Sequence, residues 1–397
     1  MKRVFWLLPC LIITVLVSVI SCGGDKIEVG SESGKLPEAK GTPSVDVFIE
    51  NSGSMDGYMC NGSQLKDAVY DYVSDLNRST DTTRLYYINS QIIPYKGNLK
   101  SYIKDLNPEQ FKLSGGDRTS TNLGEVIGSV LKKVNDKTVC IFISDCILDL
   151  PSKDAQKFLT NCEITIKDEV INTIKRIPDL GVEILKLTSD FNGKYFYPNG
   201  SVEMLENVQR PYYIWIIGNK YQIAKLNKRV PLDRLVKYNL KGICAFVGET
   251  TIPYEIQNRN LTGGMVTPKG DRYEATIRAD FSGTLQPSGT VQDKANYSFH
   301  QRGVTVEGVY PISDKKSLYT HYVNISIPKD MKVVEEELIF NSPKMPKWVN
   351  ESNDESGMNV KANLDKTTGI KYLVQGVSDA YRDEEISSKM KFRVTKK

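Results

Sequence analysis

The sequence predicts an α/β protein with a doubly wound, mainly parallel sheet in its first half and a β-rich, sandwich-like unit in its second. Three observations carry this. From Ser44 to about residue 228, apolar runs suited to buried strands alternate with stretches of helical periodicity. From about residue 249, short alternating runs separated by Gly, Pro, Asn and Asp take over. The length of 397 residues, with 40% hydrophobic and 25% charged side chains, suits two or three folded domains and not a disordered chain.

The first half reads element by element. SVDVFIE (Ser44–Glu50) is a buried-type strand, and residues 64–78 place Leu65, Val69, Tyr72 and Val73 on one helical face. RLYYIN (84–89) is β-rich, residues 99–106 suit a short helix, and residues 123–134 suit a longer one through Val126, Ile127, Val130 and Leu131. TVCIFI (138–143) is another buried strand. Ile166, Val170, Ile174 and Ile177 then mark a helix over 164–177. VEILKL (182–187) and YYIWII (212–217) are strands, and residues 221–228 are helical. Strands and helices in alternation imply a parallel sheet covered on both faces, with ligands bound beyond the carboxyl ends of its strands.

In the second half, residues 273–281, 297–299, 304–310, 319–327 and 337–340 read as short strands of an antiparallel sandwich. Ile370, Leu373, Val374, Val377, Ala380 and Tyr381 fall at helical spacing. Met390, Phe392 and Val394 alternate as a closing strand.

Composition excludes several functions. Lys and Arg number 52 against 48 Asp and Glu, a net charge of +4 without a basic patch, so nucleic acid is not an expected partner. Only His300 and His321 occur, and neither accompanies a nucleophile or metal motif. Seven cysteines contain no CxxC pair. Enzyme chemistry is therefore not expected, since the commonest general base is nearly missing.

Residues 1–21 combine Lys2 and Arg3 with a long apolar run, the layout of a secretory signal. Val19-Ile20-Ser21-Cys22 resembles the lipobox of bacterial lipoproteins. That resemblance implies cleavage before Cys22 and lipid attachment at Cys22, with the chain held in the cell envelope, at the outer membrane. Loss of the signal removes Lys2 and Arg3 and leaves a balance of +2. Residues 22–43, rich in Gly, Ser, Glu and Lys, read as a flexible tether, followed by the α/β unit over 44–248 and the β-rich unit over 249–397.

Three loops converge at one sheet edge in this topology: Glu50 to Met55, Gly115 to Leu123, and Ser144-Asp145. They offer hydroxyls and carboxylates, hard oxygen donors suited to Mg²⁺, Mn²⁺ or Ca²⁺. Glu50-x-Ser52-x-Ser54, then Thr121 before Asn-Leu-Gly, then Asp145 after an apolar strand, resembles the metal-ion-dependent adhesion site of the von Willebrand factor A domain. The resemblance covers about residues 44–230. It implies that Ser52 and Ser54 ligate a divalent ion through their hydroxyls, that Thr121 binds directly or through water, and that Asp145 acts mainly through water. It also implies an open metal position filled by a carboxylate of a partner protein. The family's first residue is Asp, and here it is Glu50, whose extra methylene carries the carboxylate further out. Two readings follow: a metal-dependent binding protein, or a structural component of the envelope with a metal-free, degenerate site.

Asp56, Asp117 and Asp149 lie near the same loops and read as solvated residues, while Tyr58 and Met59 either rim a surface or pack under the next helix. Cys60, Cys146 and Cys162 fall on loops or element ends, so the pairings 146–162 and 60–146 stand beside free thiols.

Overall fold

The computed structural model describes residues 27–31, 41–60, 62–119, 122–257, 265–266, 268–314, 316–331, 334–341, 345–382 and 388–396. After β1 (Ile27–Ser31), the first unit contributes β2 (Ser44–Glu50), β3 (Thr82–Ile88), β4 (Ile92–Pro94), β5 (Thr138–Ser144), β6 (Leu180–Phe196), β7 (Val202–Asn219) and β8 (Leu240–Val247). The last seven form one sheet in the order β4-β3-β2-β5-β7-β6-β8. Strand β2 lies between β3 and β5 and runs parallel to both.

Those parallel pairings use the crossovers that the sequence alternation predicts. Helix α1 (Gln64–Ser79) links β2 to β3, and α2 (Leu99–Lys104), α3 (Pro108–Leu113) and α4 (Leu123–Lys133) lie between β4 and β5. Short polar residues start these helices: the side chains of Ser63, Asn98, Asn107 and Asn122 each accept a backbone N–H from the first turn. Beyond β5 the pairings are antiparallel. Strands β6 and β7 meet through residues 197–201, a connection far too short for a parallel crossover.

Helices α1 and α6 (Lys220–Arg229) cover one face of the sheet, and α4 and α5 (Ala155–Arg176) cover the other. The expected helix over 164–177 is longer because Leu159 and Cys162 continue the buried stripe of Ile166 and Val170 through polar neighbours. The two expected strands 182–187 and 212–217 are the inner halves of a long hairpin. Its outer halves, with Asp190 opposite Gln209, Lys194 opposite Met204 and Asn192 at a break in the register, are too polar to read as core strands.

The second unit is a sandwich of two sheets, antiparallel apart from a short parallel pairing of Thr250–Thr251 with Ser388 and Lys389. One runs Tyr254–Gln257, Arg272–Ala279, His321–Pro328, Thr305–Pro311. The other runs Met265–Val266, β1, Ser388–Lys396, Val334–Phe340, Tyr297–Phe299. Ile277, Val323 and Ile325 of the first pack with Leu338, Phe340 and Met390 of the second.

Two expectations about organisation are corrected here. The segment 22–43 is not tether throughout, because β1 pairs along Ser388–Lys396, with Ile27 opposite Lys396 and Ser31 opposite Phe392. The late helix does not stay with the β-rich unit. Helices α7 (Ser288–Gln292) and α8 (Lys347–Glu351) precede α9 (Ile370–Arg382), whose Ile370, Leu373, Val374 and Val377 enter the core beneath α4 and α5. Gly376 permits the contact: a Cβ there would lie 2.5 Å from the backbone oxygen of Glu163. Among the described residues, no helix is long and apolar enough to cross a membrane.

Candidate functional site

Strands β2 and β5 end side by side, with Ile49 paired to Ile143 in parallel register. The next residues are Glu50 and Ser144, then Asp145. All three are buried, as expected of strand ends under covering loops. The Ser144 hydroxyl donates to Glu50 Oε2, and the backbone N–H of Cys146 donates to Ser144 Oγ at 2.7 Å. Ile147 N–H donates to Asp145 Oδ1 at 3.2 Å. Among the described residues, Asp145 Oδ2 is buried without a hydrogen-bond partner.

The loop after β2 brings its two hydroxyls to the same place, with Ser52 Oγ and Ser54 Oγ 3.0 Å apart. Burial pushes the Glu50 carboxyl up to about 8, with repulsion from Asp145 adding to the effect and the Ser144 and Ser52 hydroxyls opposing it. Burial also pushes Asp145 up, while Ser54, the Ile147 amide and Arg210 pull it back. Buried Arg210 is itself occupied: Nη1 donates to the carbonyls of Asn363 and Leu364 at 3.1 and 3.2 Å. Burial thus disfavours the charged form of both carboxyls.

The first loop is held by a residue the sequence reading did not single out. Arg118 donates through Nε to Asn51 O at 2.6 Å and through Nη2 to Ser52 O at 3.2 Å, and it pairs with Asp56. In return, Gly53 N–H donates to Arg118 O at 3.1 Å. Asn89 Nδ2 adds a bond to Asn51 Oδ1 at 2.9 Å. An arginine within a Gly, Asp and Thr loop was the available signal. Asp56 is thus a loop clamp, not a solvated residue. Asp117 is exposed and accepts from Thr119, and Asp149 lies at the pocket wall. Tyr58 packs inside, its hydroxyl donating to Pro211 O at 2.6 Å, and Met59 is buried too. Thr121 lies outside the described residues; Asn122 beside it caps α4.

Glu50, Ser52 and Ser54 open into a pocket of about 390 Å³. Part of its wall comes from far along the chain. Thr368 accepts Leu148 N–H through its carbonyl at 3.0 Å, and Tyr195 Oη bonds to Gly357 O at 3.1 Å and lies 3.3 Å from Thr368 Oγ1. The segment leading into α9 therefore completes the site, which the linear domain division did not anticipate. The cysteines Cys60, Cys140, Cys146, Cys162 and Cys244 are free thiols, so neither suggested disulfide forms. His321 is buried in the sandwich between Ser288 and Thr320, and burial lowers it to about 4.

The residues fit a hard divalent cation: hydroxyl and carboxyl oxygens, one of them a buried carboxyl oxygen without a hydrogen-bond partner. Among the described residues, no three His, Cys, Asp or Glu side chains come together, so hydroxyls would be essential to the set. No protein-family model matches the chain, and a search of curated proteins returns no match.

Proposed function

We propose that the chain is a lipid-anchored protein of a bacterial cell envelope, held at the outer membrane through Cys22, whose α/β unit binds a partner protein through a divalent ion. Ser52, Ser54, Asp145 and Glu50 would hold Mg²⁺, Mn²⁺ or Ca²⁺, with Thr121 added by the resemblance. When bound, the ion supplies a positive charge with a position open to a carboxylate. The observation that carries this reading is Asp145 Oδ2, buried and unpartnered beside buried Glu50, which borders the pocket. A polar atom left so costs about 1–3 kcal/mol, and more for a charged group, which a cation would offset.

The test is Mn²⁺ binding to the purified full chain, followed by electron paramagnetic resonance. Saturable binding that EDTA reverses is expected, weakened at least tenfold in Ser52→Ala and Asp145→Asn. Absence of saturable binding would favour the second reading, a structural component with a metal-free site. One observation supports that alternative: Glu50 already accepts a hydroxyl from Ser144 inside the protein.

A further inference from the structure

The pocket above Glu50, Ser52 and Ser54 has walls that cation binding does not use. Ile147, Leu148 and Leu150 come from the loop after β5, and Phe196 and Pro198 come from the tip of the β6–β7 hairpin. At about 390 Å³, the space is near the lower end of the ~300–1,000 Å³ typical of small-ligand pockets. It suits one or two side chains and not a flat protein surface.

The apolar character continues outside the mouth. Ten large apolar residues stand exposed among the described residues, and four of them are Phe196, Val202, Met204 and Met358. Val202 lies opposite Phe196 and Met204 opposite Lys194, so Phe196, Val202 and Met204 share one face of the hairpin. Phe196 also reaches the loop after β2: its Cε2 lies 3.5 Å from where a Cβ on Gly53 would sit. Met358 follows Gly357, which abuts Pro198. Large side chains scattered singly need no explanation, but a patch continuous with a pocket marks a contact surface.

We propose that the partner presents its carboxylate on a segment with bulky apolar side chains beside it. The acidic group goes to the oxygen-lined floor, a neighbouring apolar side chain fills the space between Leu150 and Pro198, and a second lies on the hairpin face. This rests on the cation reading of the floor: Arg118 at the wall is already paired with Asp56, so an acidic group meets an uncommitted positive charge there when a cation is bound. The chemistry of the occupant follows from the surface: oxygen donors at the floor, and apolar contact from Leu148, Leu150, Phe196 and Pro198 beside them.

The test uses the full chain in detergent and three hexapeptides with central sequences Leu-Asp-Phe, Gly-Asp-Gly and Leu-Asn-Phe, with Mn²⁺ binding measured separately. With Mn²⁺, Leu-Asp-Phe is expected to bind at least tenfold more tightly than either of the others. Val202→Ser with Met204→Ser, outside the pocket lining, is expected to reduce the advantage over Gly-Asp-Gly at least threefold while leaving Mn²⁺ affinity unchanged. If the Mn²⁺-loaded protein binds the first two peptides equally, or binds neither, the inference is overturned and the cation reading stands. Preference for Leu-Asp-Phe in a protein that binds no Mn²⁺ would support the apolar surface and overturn the cation. No preference and no Mn²⁺ binding would overturn both.

Discussion

Ser144 gives its hydroxyl hydrogen to Glu50 across the seam between two parallel strands, one residue before Asp145. The bond occupies one oxygen of a carboxylate already disfavoured by burial and by its acidic neighbour. Glu50→Gln removes the charge and keeps the shape. Its effects on stability and binding should therefore have opposite signs: a higher Tm in EDTA, and Mn²⁺ affinity weakened about tenfold, or ~1.4 kcal/mol. A lower Tm in EDTA would show that the Ser144 bond outweighs the burial cost. Calorimetry with and without the metal reads both quantities.

Arg118 holds the carbonyls of Asn51 and Ser52, with its side chain largely buried. Hydrogen bonds to a charged donor contribute about 1.5–3 kcal/mol. Arg118→Ala should lower stability by about that amount and weaken Mn²⁺ binding although it contributes no ligand. Arg118→Lys keeps the charge but loses the two-pronged geometry, so it should recover only part of each. Full metal affinity in Arg118→Ala would remove the positioning role, and thermal melts beside the resonance titration separate the two effects.

How much of this was legible follows from what each feature depends on. Strands β2 and β5 and the Ser52 and Ser54 hydroxyls were legible, because continuous apolar runs and adjacent residues are local signals. The outer halves of β6 and β7 were not, since an exposed hairpin extension buries too few side chains to leave a pattern. Strand β8 was passed over, having only four fully buried residues at one end. Arg118, Tyr195 and Thr368 were missed because they act by bonding to or packing against distant backbone, which has no periodic signature. The return of α9 to the first unit was hidden for a similar reason: amphipathic spacing tells that a face is buried, not against what.

Glu183 offers a test away from the site. It is fully buried on β6, Asn227 Nδ2 donates to both its oxygens at 2.9 Å, and burial pushes it up to about 7 from 4.5. A carboxyl raised on folding stabilises most below its unfolded value, and that contribution is lost as pH rises through the folded one. The stability of wild type relative to Glu183→Gln should therefore fall between about pH 4.5 and pH 7 and then level off, by up to about 3 kcal/mol at ~1.36 kcal/mol per unit. Urea titrations of both proteins across that range give the difference directly. A difference independent of pH would mean that Glu183 titrates alike in both states.

Gly376 sets how closely α9 approaches α5. Alanine is the better helix former by about 0.8–1 kcal/mol, so an exposed site would gain from the change. Here the added carbon meets Glu163 O and Ile166, and overpacking of this kind costs about 1–3 kcal/mol. Gly376→Ala is expected to lower the urea midpoint. An unchanged or higher midpoint would show that the two helices can separate at little cost.

The position of β1 constrains the proposed anchor. Five residue steps separate Cys22 from Ile27, a span of at most about 18 Å at ~3.3–3.6 Å per residue. A tether running freely from 22 to 43 would reach several times further. Ile27 lies opposite Lys396, so lipid at Cys22 would keep that end of the sandwich close to the bilayer. Labelled palmitate should enter the wild type and not Cys22→Ser, which tests the lipid itself. A fluorophore on Lys396→Cys, in a Cys60→Ser background, should transfer energy efficiently to acceptors on the lipid headgroups. Inserting a long Gly/Ser segment after Gly24 should lower that transfer sharply by lengthening the leash. If palmitate is incorporated and the insertion changes nothing, the sandwich contacts the bilayer by its own surface and the leash does not set its height.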